Sequence, residues 1–307
     1  MKALTIRQFG LLSTACLEDV AVPTLAAHQV LVRITAASVN PLDLKILAGQ
    51  KQAAFPVNFP YTLGTDFAGI VETTSDGITG FKRGDRVAGR LNPTAGGAFA
   101  EYTAVPAELL CHIPASVSDE QASALPTAAG TARQALFGVG KLIQGQHVLI
   151  HAGAGGVGSF AVQLAKQAGA YVIATASTRN VDLIRELGAD VVLDYHDEEL
   201  LQHLQGMHLV LDTRGGATLE RSWATVRPGG TIVSIVDNII QPRNAIQGVF
   251  TAIKHDASIL SDLLKEVDAK RLRVQLDSTH ILELAHDALE RVAAGHSRGK
   301  VVISIGT

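Results

Sequence analysis

HVLIHAGAGGVGSFAVQLAKQAGAYVIATAS, residues 147–177, decides how this chain reads. Val148, Leu149 and Ile150 form a short apolar run of the kind expected for a strand buried on both faces. Gly153-Ala154-Gly155-Gly156-Val157-Gly158 then satisfies G-x-G-x-x-G, and Val157, Phe160, Ala161, Leu164, Ala165 and Ala168 recur behind it at helical spacing. Tyr171 to Thr175 reads as a second apolar strand. In such a unit the first glycine permits a tight turn, the second lets a pyrophosphate approach bare backbone, and the third lets helix pack on strand. The helix N-terminus adds unpaired N–H groups and a partial positive charge. In a chain with 29 glycines the motif alone says little. Its place in a strand, turn, helix, strand unit makes it a dinucleotide site.

Units that bind NAD usually end their second strand on Asp or Glu, which accepts from the ribose 2′-OH. Here no acidic residue occurs between Gly158 and Asp182, and the strand ends in Ala176-Ser177-Thr178-Arg179-Asn180. A carboxylate would repel a 2′-phosphate, whereas the Ser177 hydroxyl and Arg179 guanidinium suit one. The expected cofactor is therefore NADPH. The competing reading of Arg179 is a solvated charge that opens the next helix.

With 307 residues, 47% hydrophobic and 18% charged, the chain can fill two domains with sizeable cores. A net charge of -3 and 5% aromatic residues argue against nucleic-acid binding. Cys16 and Cys111 stand far apart and give no disulfide framework, which fits a reducing compartment. The first residues, MKALTIRQFG, lack the apolar core of a signal peptide. No run of about 18 apolar residues suggests a membrane span. The expectation is a cytoplasmic protein acting on a small molecule.

The first hundred residues read as short strands, among them Ala3–Ile6, Val30–Ala36, Phe67–Val71, Arg86–Ala88 and Phe99–Val105, separated by glycine and proline turns. They suggest a β-barrel-like domain. An alanine-rich helical stretch, Asp119 to Leu136, leads into the glycine unit, after which strand and helix alternate to about Val236. Val191–Asp194, Leu209–Asp212 and Thr231–Val236 are the later parallel strands. Val249–Ile253 reads as an extra edge strand able to pair with a second copy, so a homodimer is expected; a monomeric mass in light scattering at micromolar concentration would contradict it. Lys300–Ile305 is the last strand, expected to rejoin the first domain.

Several segments carry a family resemblance. They are Asn40-Pro41-Leu42-Asp43-Leu44-Lys45, Leu63-Gly64-Thr65-Asp66-Phe67-Ala68-Gly69, Gly84-Asp85-Arg86-Val87, Gly97-Ala98-Phe99-Ala100-Glu101-Tyr102, Ala124-Leu125-Pro126 with Thr131-Ala132, the glycine loop, and Arg298-Gly299-Lys300-Val301-Val302. In this order, over nearly the whole length, they resemble the zinc-free branch of the medium-chain dehydrogenase/reductases, the quinone oxidoreductase and enone (2-alkenal) reductase group. The resemblance implies an α/β fold: a GroES-like β-barrel substrate domain, residues 1–121 and 272–307, with a Rossmann doubly wound parallel sheet, residues 122–271, inserted as the NADPH-binding domain. It also implies cofactor contacts from Thr131, Gly156 and Val157, from Ser177 to Asn180, from Tyr195 beside the 2′-phosphate, and from Ser234, Ile235 and Lys300.

Zinc enzymes of the wider superfamily need a Cys near Asn40 to Asp43 and a His where this chain has Thr65, and their structural zinc loop needs four cysteines. Those ligands are missing, so no metal is expected. His147 and His151 do not replace them, because four residues along a strand separate them by about 13 Å. His112, His203, His208, His255, His280 and His286 lie in no motif.

Without a metal, the protein must position the cofactor and stabilise developing charge. Hydride addition to a quinone, or to the β-carbon of an α,β-unsaturated carbonyl, puts negative charge on oxygen. The resemblance makes Lys45 the candidate cation there, with Asn40 on the nicotinamide ribose or carbonyl and Asp43 orienting Lys45. A surface lysine on a short helix is the bland alternative for Lys45. The expected activity is NADPH-dependent reduction of a quinone or enone. The alternative is a non-catalytic NADPH-binding redox sensor or structural protein on the same fold. Reduction of an enoyl thioester would call for a dense basic patch, which the sequence lacks.

Overall fold

In the computed structural model, which describes residues 1–197, 203–254 and 256–306, β1 (Lys2–Ile6) pairs antiparallel with β2 (Ala15–Asp19). The longer β3 (Gln29–Val39) buries every second residue from Val30 to Ala36, as a strand with one face on a core does. Pro41 then opens α1 (Pro41–Leu47), because the first helical turn needs no N–H from it. There follow β4 (Tyr61–Thr62), β5 (Asp66–Thr74), β6 (Arg86–Arg90), β7 (Tyr102–Pro106), β8 (Leu110–His112) and α2 (Asp119–Ser123). The middle of the chain supplies α3 (Ala128–Arg133), β9 (His147–Ile150), α4 (Gly156–Gln167), β10 (Tyr171–Ala176), α5 (Val181–Glu186), β11 (Val191–Asp194), β12 (Met207–Asp212), α6 (Gly216–Ser222), β13 (Val226–Ser234) and β14 (Gln247–Phe250). The last part holds α7 (Ala257–Asp268), β15 (Leu276–Ile281), α8 (Ala285–Ala293) and β16 (Lys300–Ser304).

These elements form two units, Met1–Thr127 with His255–Thr307, and Ala128–Lys254. In the first, a seven-stranded sheet runs β15-β16-β3-β5-β6-β8, with β7 also on β3, beside a three-stranded sheet β2-β1-β4. Strand β16 lies antiparallel to β3, Val301 opposite Val39, so the end of the chain does return to its beginning. Leu4, Ile6, Ile34, Phe67, Phe99 and Ile303 fill the core of this unit. Helix α7 belongs to it as well, with Cys111 Sγ donating to the Ala257 carbonyl at 2.8 Å. The division thus falls at 127/128 and 254/255, against the boundaries of 121/122 and 271/272 expected from the sequence.

The second unit is a parallel six-stranded sheet in the order β11-β10-β9-β12-β13-β14. The chain winds one way from β9 to β11 and the other way from β12 onward. The switch point between β9 and β12 is where open α/β sheets bind ligands. Leu149, Ile173, Val210 and Ile232 of neighbouring strands pack into one cluster. Strand β14 is the edge, parallel to β13.

Two local expectations are corrected. The helix read over Asp119 to Leu136 is broken, because Pro126 can neither donate to a helical ladder nor follow a helical residue comfortably. Helix α2 stops at Ser123, α3 begins at Ala128, and Gln134–Val139 is a wider π-helical turn. The strand read from Phe99 starts only at Tyr102; Phe99 and Ala100 are buried in a loop, where Phe99 N–H donates to Leu63 O.

Candidate functional site

The glycine loop leaves β9 and enters α4. Its first helical bond runs from Ser159 N–H to Gly155 O, so the N–H groups of Gly156, Val157 and Gly158 precede the ladder and have no partner within it. The third glycine packs tightly: a Cβ on Gly158 would lie 2.2 Å from Ala152 O. Gly155 would meet only that same oxygen, at 3.3 Å, and otherwise faces open space. The loop is moored to β10, where Thr175 O accepts Gly153 N–H at 2.8 Å and Thr175 Oγ1 accepts Ala152 N–H at 3.1 Å. His151, buried beneath, contacts Ser222 Oγ through Nε2 at 2.8 Å, and burial lowers its pKa to about 4. A cradle of free N–H donors with one open glycine face suits a pyrophosphate.

At the end of β10, Asn180 Nδ2 donates to Ser177 Oγ at 3.1 Å, and Arg179 is exposed between them. A carboxylate stands beside this turn. Asp194, at the end of β11, accepts from the Thr178 hydroxyl, from His196 N–H at 2.9 Å, and contacts His196 Nδ1 at 2.8 Å. These hydrogen bonds, Thr178 first, hold its pKa down at about 2. Tyr195 is largely exposed, with its ring 4.1 Å from that of His196.

Beyond the switch point, Ser234 is not free to reach outward. Its hydroxyl donates to buried Asp212 at 2.7 Å and accepts the N–H groups of Val236 and Asp237. The other Asp212 oxygen takes the N–H groups of Arg214 and Gly215, and Ile235 N–H donates to Asp212 O. One carboxylate thus shapes both loops where β12 and β13 end. Thr131 is buried within α3.

The first unit gathers Asn40 and Lys300, 260 residues apart in sequence. The buried Lys300 ammonium donates to Asn40 Oδ1 at 2.6 Å and to Val39 O at 2.9 Å. Asn40 Nδ2 donates to Asp66 Oδ2 at 3.0 Å, and Asp66 also accepts from the Thr127 N–H and hydroxyl. Arg90 approaches Asp66 to 3.9 Å. The Asn40 amide is thereby committed at both ends. Asp43 accepts Asn40 N–H at 2.8 Å rather than meeting Lys45, and its Oδ1 is buried without a partner among the described residues. Burial pushes its carboxyl up to about 7, with the Asp66 charge adding and Lys300 and Arg90 opposing. Burial likewise lowers Lys300, against the pull of Asp66 and Asp43.

Lys45 stands apart. Its ammonium makes no ion pair or side-chain hydrogen bond among the described residues, and partial burial, with the Lys51 charge, lowers its pKa. A half-buried cation without a carboxylate can stabilise negative charge on a bound oxygen. Among the described residues no group of three or more His, Cys, Asp or Glu side chains could hold a metal ion. His255 lies outside the described residues. Sequence reasoning gave no role to Asp66, Asp194 or Asp212. The first two were visible in the Gly64-Thr65-Asp66 and Leu193-Asp194-Tyr195 segments, but their partners were not.

A chain-end unit of mainly antiparallel sheets carrying an inserted parallel sheet with a glycine phosphate loop defines a nicotinamide-dependent dehydrogenase or reductase. Residues 26–115 match the family described as alcohol dehydrogenase GroES-like domain, and residues 187–303 the family described as zinc-binding dehydrogenase. A quinone-oxidoreductase homolog of Spinacia oleracea is 34% identical over 93% of this chain and 92% of its own. An NADPH-dependent alkenal/one oxidoreductase of Arabidopsis thaliana is 30% identical over 99% and 79%. The solved quinone oxidoreductase of Coxiella burnetii superposes with a TM-score of 0.94 at 33% identity, covering 100% of this chain and 99% of its own. The chain belongs to the medium-chain dehydrogenase/reductase superfamily, in its quinone oxidoreductase and enone reductase group. No helix among the described residues is long and apolar enough to cross a membrane.

Proposed function

We propose that this oxidoreductase uses NADPH, without zinc, to reduce a quinone or an α,β-unsaturated carbonyl. The observation that carries the reading is the uncommitted, half-buried Lys45 ammonium on α1. Gly156, Val157 and Gly158 hold the pyrophosphate on backbone N–H groups while Gly153 and Gly155, whose own N–H groups bond to Thr175 O and Ala152 O, shape the loop beneath it, and Ser177, Arg179 and Asn180, with Tyr195, take the adenosine 2′-phosphate. The nicotinamide supplies hydride when bound. Lys45 offers its positive charge to the acceptor oxygen as negative charge builds there, lowering the barrier. Asn40, fixed by Lys300 and Asp66, starts the helix that bears Lys45. Ser234 and Ile235 act through backbone held by Asp212, and Thr131 lines the cofactor from α3. The superfamily's zinc ligands are replaced here, Thr65 standing where the histidine would be, which supports the metal-free reading.

The test is NADPH consumption against a panel of quinones, enones, 2-alkenals and enoyl thioesters. Turnover with quinones or enones is expected. Silence across the panel, with tight NADPH binding, would replace this reading with that of a redox sensor.

A further inference from the structure

The β10 strand ends without an acid, yet the fold delivers one to the same level from the neighbouring strand. Strands β10 and β11 run parallel, and Ala176, the last residue of β10, is paired directly with Asp194. From there the Asp194 carboxylate reaches into the following turn. One oxygen accepts from the Thr178 hydroxyl, and the other lies 2.9 Å from His196 N and 2.8 Å from His196 Nδ1. Thr178 stands inside the Ser177 to Asn180 turn, whose Ser177 and Asn180 side chains bond to one another. A carboxylate held at several points is fixed in place and cannot swing away from an approaching anion. In dinucleotide-binding sheets, an acid at the end of the second strand accepts from a bare ribose 2′-OH and disfavours a 2′-phosphate.

Resting on the assignment of this turn to the adenosine end of the cofactor, we infer that Asp194 is a specificity-determining residue that restrains the preference for 2′-phosphorylated nucleotides. The residue stands on β11, outside the position where such an acid is sought in sequence, and therefore goes unseen there. Its charge is permanent at neutral pH, since the donors around it all favour the ionised form. On this account the chain discriminates between NADPH and NADH less sharply than the acid-free end of β10 suggests.

The test measures binding rather than turnover. The full chain and Asp194→Asn are titrated calorimetrically with 2′,5′-ADP and with 5′-ADP, which share the adenosine and differ in the 2′-phosphate. Removing one half-buried charge should tighten 2′,5′-ADP by about five-fold and leave 5′-ADP within about two-fold. No change, an equal change for both nucleotides, or weaker 2′,5′-ADP binding would overturn the inference. Asp194→Ser, which removes the same charge, is read by the same criterion if the Asn variant does not fold. If neither nucleotide binds the native chain, the assignment of the turn itself falls, which separates failure of the proposed cofactor site from failure of Asp194 as its tuner.

Discussion

Replacing Asp43 by Asn should change how stability depends on pH. The carboxyl is fully buried, one oxygen has no partner among the described residues, and the Lys300 and Arg90 charges do not offset the cost of removing it from water. Its pKa is 3.8 in the unfolded chain and about 7 in the folded one. Between those values the folded chain keeps a proton that the unfolded chain has released. Stability from this group is therefore greatest at acid pH, falls as pH rises through that window, and is level above about 7. A shift of this size corresponds to about 4 kcal/mol. An amide at this position cannot titrate, so the stability of Asp43→Asn relative to wild type should rise by about this amount from pH 4 to pH 8. That slope is independent of any constant cost of the substitution. Trp223, the single tryptophan, lies in the other unit, so its fluorescence is the wrong probe. Hydrogen exchange of peptides covering β3 and α1 reads the opening free energy directly. A stability difference that stays flat across the pH range would refute the reasoning.

Gly158→Ala places a methyl 2.2 Å from Ala152 O, a backbone atom that cannot yield cheaply. The variant should lose about 1–3 kcal/mol of stability and bind NADPH at least about ten-fold more weakly, as read by thermal melting and fluorescence titration. Lys45→Met should lower kcat about 100-fold in steady-state kinetics while NADPH affinity stays within about two-fold. An unchanged kcat/KM would remove Lys45 from the chemistry.

Features carried by local pattern were legible in the sequence. The glycine loop, the alternating burial of β3 and the strand and helix alternation from β9 to β13 depend on periodicity and on residues that lie close together along the chain. Pro126 was also in plain view, but alanine-rich periodicity on both sides of it favoured a continuous helix. Side-chain partnerships over long separations were hidden. Nothing local to Lys300 reveals that its ammonium is spent on Asn40, and nothing in Leu193-Asp194-Tyr195 shows that the carboxylate reaches Thr178. The resemblance puts Ser234 beside the cofactor, but it does not reveal that the hydroxyl is engaged by Asp212 and two N–H groups. Buried polar groups must find partners, but which partner depends on topology rather than on spacing.

Strand β16 has a consequence for synthesis. It sits inside its sheet, between β15 and β3, and brings Lys300 to Asn40. The Ala128–Lys254 unit is continuous in sequence and can close while the ribosome is still translating. The unit begun at Met1 has to wait. Until residue 304 emerges, β3 offers a bare edge at Ala36 to Val39, and Asn40 and Asp66 have no lysine above them. A nascent or truncated chain that stops before Lys300 therefore exposes an aggregation-prone edge beside an Asn40 amide oxygen that has lost its lysine donor, a ready mark for chaperones and proteases.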